Sequence, residues 1–293
     1  MPKRVLVTGK DGQLGKSIQQ IACQYPRYIF EFVGRDTVDF SISQSIMVFF
    51  TKKKFDIIIN CAAYTAVDKA ETETELAEKI NHLAVKQLAE IAKQQEIILI
   101  HISTDYVFNG QNFRPYVETD PTGPRSVYGT TKFKGEQAMQ AINPKGCIIR
   151  TSWVYSEYGN NFVKTMLRLG QEKDSLNVIF DQVGTPTYAG DLAKVILEII
   201  AQAEKLEKTE VYHLSNEGAC SWYDFAKAIF SFSDTECHVS PIETKDYITP
   251  ATRPNYSLLN KAKIKANFNL TIPYWQDSLK HCIQRLQEQK NER

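Results

Sequence analysis

No run of apolar residues in this chain approaches the ~20 needed to cross a bilayer as a helix. Lysine and arginine form no block either. The 35 basic side chains are balanced by 34 acidic ones, and a formal charge of +1 leaves no electrostatic footprint for nucleic acid or a membrane surface. The six cysteines (Cys23, Cys61, Cys147, Cys220, Cys237, Cys282) contain no C-x-x-C pair. Cys61 and Cys147 sit in apolar runs that read as buried strands, so reduced structural thiols and a cytoplasmic protein are expected. The five histidines stand far apart without metal-ligand spacing, and no metal is expected. The start, MPKRVLVTG, passes straight into a strand with no apolar signal region. What is present is an ordinary globular balance, 43% hydrophobic and 24% charged, over 293 residues. That suits one large domain or two moderate ones.

The first half alternates. RVLVTG, YIFEFVG, FDIIINCAA, IILIHIST and GCIIRTS read as strands, with helices from about Gly12, over TELAEKINHLAVKQLAEIAKQQ and over YGTTKFKGEQAMQAI. Continuous apolar strands, rather than alternating ones, imply a parallel sheet covered on both faces. Strand–helix–strand succession then gives right-handed crossovers and an α/β, doubly wound, Rossmann-like sheet over residues 1–150. After Arg150 the rhythm is less regular. NNFVKTMLRLGQ, AGDLAKVILEIIAQAEKL, SWYDFAKAIFSF and PYWQDSLKHCIQRLQEQ are helical, NVIFD and VYHLS are short strands, and residues 242–256, with two prolines, read as an extended loop. Residues 151–293 are therefore expected to form mainly a smaller mixed α/β substrate lobe, with the chain returning to the first lobe around 187–212.

VLVTGKDGQLGKS carries Gly9, Gly12 and Gly15 as G-x-x-G-x-x-G, after a strand and opening a helix. Backbone without side chains can approach a pyrophosphate, and a helix N-terminus offers free N–H groups and positive partial charge. The spacing implies a dinucleotide. Roughly 20 residues on, where a second strand end meets an adenosine ribose, stands VGRDTVDF. Asp36 suits a ribose 2′-hydroxyl and Arg35 a 2′-phosphate, so NADPH is favoured with NADH as the alternative. Asp39 and Phe40 would wall the adenine.

In SVYGTTKFKGEQAMQ, Tyr128 precedes Lys132 by four residues, one turn along the same helix face. Thr104 sits at the carboxyl end of the strand IILIHIST, the edge where doubly wound sheets bind ligands. A hydroxyl, a phenol and an ammonium then surround one crevice. A ketone accepting hydride develops alkoxide charge and needs a proton. A free phenol titrates near ~10; a neighbouring ammonium and the cofactor's positive ring are expected to lower Tyr128 toward working pH.

These residues resemble the extended short-chain dehydrogenase/reductase superfamily. NCAAYTAVDKAE, STDYVF, VYGTTKFKGE, RTSWVY, NNFVKTMLRL, DQVGTPT and RPNYSLL, in that order, are similar to the dTDP-4-dehydrorhamnose reductase family over nearly the whole chain. The resemblance implies NAD(P)H-dependent reduction of the C4 ketone of dTDP-4-dehydro-6-deoxy-L-mannose to dTDP-L-rhamnose. It makes Tyr128 the proton donor and Lys132 its partner on the nicotinamide ribose. Thr104 and Asp105 flank the sugar and Trp153 closes over it. Gly12, Gln13 and Leu14 line the phosphates; Ala63, Tyr64 and Thr65 line the nicotinamide side. Val67, Asp68 and Tyr106 are further substrate contacts, with Asp68 alternatively a helix cap. Arg253 would reach a phosphate or remain a surface arginine, and residues 182–187 would supply pocket-edge backbone. Some members hold Mg²⁺ at a dimer interface through an acid on the first helix. Here GKSIQQ has none, leaving monomer or homodimer open.

Three rival classes share parts of this pattern. A sugar-nucleotide dehydratase needs a glutamate where Tyr106 stands, which disfavours elimination. An epimerase or talose-type reductase needs only the same couple. A non-catalytic NADP-binding regulatory subunit would not require Tyr128 and Lys132, which are intact.

Overall fold

A computed structural model describes residues 2–291. Five strands open the chain: β1 (Lys3–Thr8), β2 (Tyr28–Val33), β3 (Ile57–Asn60), β4 (Ile98–Thr104) and β5 (Gly146–Thr151). A sixth, Thr209–His213, returns beside β5, giving the order Thr209–His213, β5, β4, β3, β1, β2. Every neighbouring pair is parallel. The chain leaves β1 toward β2 on one side and toward β3 on the other, so the crevice opens at that switch point.

The unbroken apolar strands follow from two covered faces. Val5, Val7, Ile57 and Ile59 pack with Leu14 and Ile18 of the first helix (Gln13–Ile21) and with Leu192 and Ile196 of the helix Ala189–Ala201. The intervening Leu6, Ile58, Leu99 and Ile148 pack on the other side with Phe49, Phe50, Leu88 and Met139. A separate core, with Tyr155, Val163, Phe225, Phe230 and Trp275, fills the second lobe. That lobe includes a two-stranded parallel ribbon, Ser175–Ile179 with His238–Ile242.

Two elements depart from the sequence expectations. Thr74–Gln94 is not one regular helix: a π turn over Lys79–Leu83 separates Thr74–Glu78 from Ala84–Gln94. Such a turn admits an extra residue without ending the helix, and here it carries the fully buried Asn81. The helix Ser43–Lys52 is not among the helices read from the sequence; it seats Ile46, Phe49 and Phe50, at i, i+3 and i+4, on the sheet.

Under the helix Val127–Ile142 lies an ion pair with almost no water. Glu136 is 0% and Arg150 3% exposed. The guanidinium reaches Glu136 Oε2 at 2.7 Å, Ser103 Oγ donates to Oε1 at 2.5 Å, and Arg150 lies over the Phe108 ring. Removing one charge strands the other. Arg150→Met is therefore expected to lose about 3–5 kcal/mol in urea unfolding, while adding Glu136→Leu recovers most of it. Equal losses in the single and double variants would contradict this.

Candidate active site

The carboxyl ends of β1, β3 and β4 open onto a crevice of about 870 Å³. At one end Gly9, with φ +70°, turns the chain from β1 toward the first helix. A Cβ on Gly15 would lie 2.2 Å from the Gly9 carbonyl oxygen, so only glycine permits this close start. The N-cap position, Gly12, brings no side-chain acceptor to the first-turn N–H groups, which leaves them for a phosphate. Gly9, Gly12, Leu14 and Gly15 all line the crevice. Gln13 lines it too, but its amide is engaged by the second lobe. Nε2 donates to Val154 O at 3.2 Å, and Oε1 accepts from Ser156 Oγ and Asn161 Nδ2 at 3.0 and 2.9 Å.

At the second strand end the picture differs from expectation. Arg35, Asp39 and Phe40 line the crevice, whereas Asp36 lies outside its lining. Lys10 Nζ donates to Asp36 at 2.6 Å and draws that carboxylate aside, while Arg35 pairs with Asp39 at 3.1 Å. Asp36 thus stands beside Gly34 at the rim, paired with Lys10, a partner inside the glycine loop that the sequence reading did not name.

Beyond β3, Ala63, Tyr64, Thr65 and Val67 line the next stretch. Asn81 fixes this wall. Tyr64 N–H donates to Asn81 Oδ1 at 2.9 Å, and the Tyr64 carbonyl accepts from Nδ2 at 3.0 Å. Nothing in the local pattern marks Asn81.

Tyr128 comes at the second position of its helix. Ser126 Oγ accepts from Gly129 N at 3.1 Å, and Glu71 Oε1 accepts from Val127 N at 2.8 Å, which satisfies two of the free N-terminal donors. A Cβ on Gly129 would lie 2.3 Å from the Tyr106 carbonyl oxygen, so glycine lets the helix settle on the turn after Thr104. The Tyr106 ring stands edge-on to Tyr128 at 5.4 Å. Lys132 is 1% exposed, and its Nζ donates to Ile102 O at 2.6 Å.

The chain's own groups raise the phenol. Burial pushes Tyr128 up to about 12; the Thr104 hydroxyl works the other way and Asp105 adds to the rise. Burial pushes Lys132 down to about 8, against Glu136 and Cys61. Desolvation disfavours the charged form of each group and is the largest influence on both. Asp105, 1% exposed, is raised to about 6 by burial despite hydrogen bonds from Ser257 and Thr104, and among the described residues its Oδ2 has no partner.

Trp153 lines the far end in the left-handed region, φ +49°, an uncommon and strained conformation for a bulky residue. Its ring is stacked on Trp222 at 3.7 Å, and a Cβ on Gly184 would meet it at 2.9 Å. Trp222 had no signal in the sequence reading. Asp68 caps no helix, and Arg253 is not a free surface arginine. The two form a two-pronged pair at 2.7 and 3.1 Å that ties the proline-rich loop to the segment after β3. Residues 182–187 lie outside the lining: Gln182 donates to Thr244 Oγ1, and the Thr185 carbonyl accepts from Ser152. Among the described residues no cluster of three or more His, Cys, Asp or Glu could hold a metal, and no helix is long and apolar enough to cross a membrane.

A glycine turn at the first strand end, opposite a Tyr-x-x-x-Lys helix beside a strand-end threonine, defines the extended short-chain dehydrogenase/reductase class. Within that class the chain belongs to the family described as RmlD substrate binding domain, whose model matches residues 3–288. It is 43% identical to the dTDP-4-dehydrorhamnose reductase of Aggregatibacter actinomycetemcomitans, covering 95% of this chain and 97% of that one. It is 41% identical to the Escherichia coli K12 protein of the same name, covering 96% and 97%. A dTDP-4-dehydrorhamnose reductase structure from Bacillus anthracis, in complex with NADP, superposes with a TM-score of 0.92 at 38% identity, covering 97% and 100%. One from Clostridium acetobutylicum gives 0.91 at 41%, covering 97% and 99%.

Asp105 supplies a stability test. Its folded-state value lies above the unfolded one, so stability is lost as pH climbs from about 4 through about 6. Asp105→Asn is expected to be more stable than the parent by about 2–3 kcal/mol at pH 8, the gap closing toward pH 4 in denaturant titrations. A destabilised variant at pH 8 would refute it.

Proposed function

We propose that the protein reduces the C4 ketone of dTDP-4-dehydro-6-deoxy-L-mannose to dTDP-L-rhamnose with NADPH, NADH serving as an alternative donor. One observation carries this reading: a single crevice runs from the Gly9–Gly15 turn to the Tyr128–Lys132 pair. The chain around it is 43% and 41% identical to proteins named dTDP-4-dehydrorhamnose reductase. The residues present fit a dinucleotide, since the glycine turn and the uncapped helix start suit its pyrophosphate. When bound, the dinucleotide supplies the hydride.

The chain's own residues do the rest. Tyr128 gives its phenolic proton to the substrate's O4 as negative charge gathers there. A phenol pushed up to about 12 is fully protonated near neutral pH, the form a donor must have. The Thr104 hydroxyl hydrogen-bonds the same oxygen, and the unpartnered oxygen of Asp105 accepts from a sugar hydroxyl. Lys132 holds the nicotinamide ribose. Trp153, backed by Trp222, covers the sugar and excludes water, while Tyr106 and Val67 complete the wall. Residues 1–150, with the return at 187–212, form the dinucleotide lobe, and 151–293 mainly form the substrate lobe.

The test is NADPH oxidation with enzymatically generated dTDP-4-keto-6-deoxy-L-sugar, followed by NMR of the product. Tyr128→Phe should lower kcat by ~10²–10⁴ while still binding NADPH. Undiminished turnover in that variant, or sugar isomerisation without net NADPH consumption, would defeat the proposal.

A further inference from the structure

Lys132 also reaches a row of polar groups in the sheet. Thr8, Asn60 and His101 stand side by side across three strands: the register pairs Thr8 with Asn60, and Asn60 with His101. They are 0%, 2% and 0% exposed. Such residues ordinarily carry apolar side chains in a sheet covered on both faces, and buried polar groups persist only where they are satisfied.

Their hydrogen bonds have a direction. Ala62 N donates to Thr8 Oγ1 at 3.1 Å, so the hydroxyl's own hydrogen goes to Asn60 Oδ1 at 2.7 Å. The amide then turns Nδ2 toward His101 Nδ1, at 3.0 Å. Nδ1 accepts that bond, and a neutral imidazole must then carry its hydrogen on Nε2. Nε2 lies 3.5 Å from Lys132 Nζ. An N–H aimed at an amine has a partner only when the amine keeps its lone pair. Against an ammonium, hydrogen meets hydrogen.

We propose that Thr8, Asn60 and His101 form a directed hydrogen-bond chain that favours the unprotonated amine of Lys132, making His101 a positioning residue for the Tyr128–Lys132 couple. The other groups near Lys132 are the Ile102 carbonyl, which accepts from Nζ at 2.6 Å, Cys61 just after β3, and Glu136 on its own helix. Glu136 is held in turn by Arg150 of β5. Burial lowers Lys132 in the same sense as the chain does, and it lowers His101 well below its ordinary value, so the ring stays neutral. The consequence shows in the pH profile: an amine that loses its proton more readily sets the alkaline limb of turnover at lower pH than it would beside an Nε2 that accepts. Only this consequence rests on the reductase reading.

The test begins on the full-length protein without substrate. Long-range ¹H–¹⁵N correlations on ¹⁵N-imidazole protein, with His101 assigned through His101→Gln, should show an uncharged Nε2–H ring from about pH 6 to about pH 9. In Asn60→Asp, a carboxylate replaces the amide donor. The ring hydrogen should move to Nδ1, leaving Nε2 to accept from the ammonium. The alkaline limb of kcat for NADPH-dependent reduction should then move up by about one pH unit or more. If Asn60→Asp melts too low to use, Thr8→Val and Thr8→Ser replace it. Valine removes the hydroxyl that orients the amide and should mix the tautomers, and serine should preserve Nε2–H. A wild-type Nδ1–H or imidazolium ring overturns the proposal. So does a tautomer indifferent to these changes, or a switched tautomer with an unmoved alkaline limb. Absence of turnover on the dTDP-sugar would defeat the reductase reading alone, because the tautomer measurement does not use it.

Discussion

A primary amine held at 1% exposure by a 2.6 Å bond to one strand carbonyl sets the terms for its surroundings. Burying the cation is unfavourable unless charge and hydrogen bonds compensate. The nearest carboxylate, Glu136, one turn further along the helix, is shared with Arg150. To bring Lys132 that deep, the helix Val127–Ile142 must descend on its neighbours at two places. A Cβ on Gly129 would lie 2.3 Å from the Tyr106 carbonyl, and one on Gly135 would lie 2.2 Å from the Asn81 carbonyl. The π turn that carries Asn81 is therefore part of the same fit. It presents a carbonyl to Gly135 while its side chain fixes the Tyr64 backbone across the crevice. Helix, turn and crevice wall are settled together.

How far this was legible in the sequence depends on the range of the interaction. The strands, the Gly9–Gly15 turn and the Tyr128–Lys132 spacing are local patterns, with periods fixed by strand and helix geometry, and they were readable. The pairings that shape the rim were not. Arg253 and Asp68 are 185 residues apart, and each has the look of an ordinary surface charge until a loop crosses the crevice edge. Lys10 and Asp36 are 26 apart, and the alternation of signs in KDG and GRDTVD fits several pairings equally well. Trp222 props Trp153 from another helix. Asn81 sits inside a stretch whose periodicity reads as plain helix, because a π turn shifts register without leaving a residue type behind. The Thr8–Asn60–His101 row is different again. Each member is a polar residue after an apolar run in its strand, but only the sheet register puts them on one line.

The direction of the phenol shows why burial decides chemistry that spacing suggests. From the sequence, an ammonium one turn away lowers Tyr128. In the folded chain the ammonium is itself disfavoured by the desolvation that disfavours a phenolate, so the two groups move in opposite directions. Burial places Tyr128 at about 12 and Lys132 at about 8. Near neutrality the proton therefore stays on the phenol, and the amine is the group that empties first as pH rises. A couple arranged this way starts as an acid, not a base, which is the state needed to quench an alkoxide. That order comes from burial: the Tyr106 ring lies edge-on to Tyr128, and the close descent of the helix on Gly129 and Gly135 takes Lys132 down to the Ile102 carbonyl.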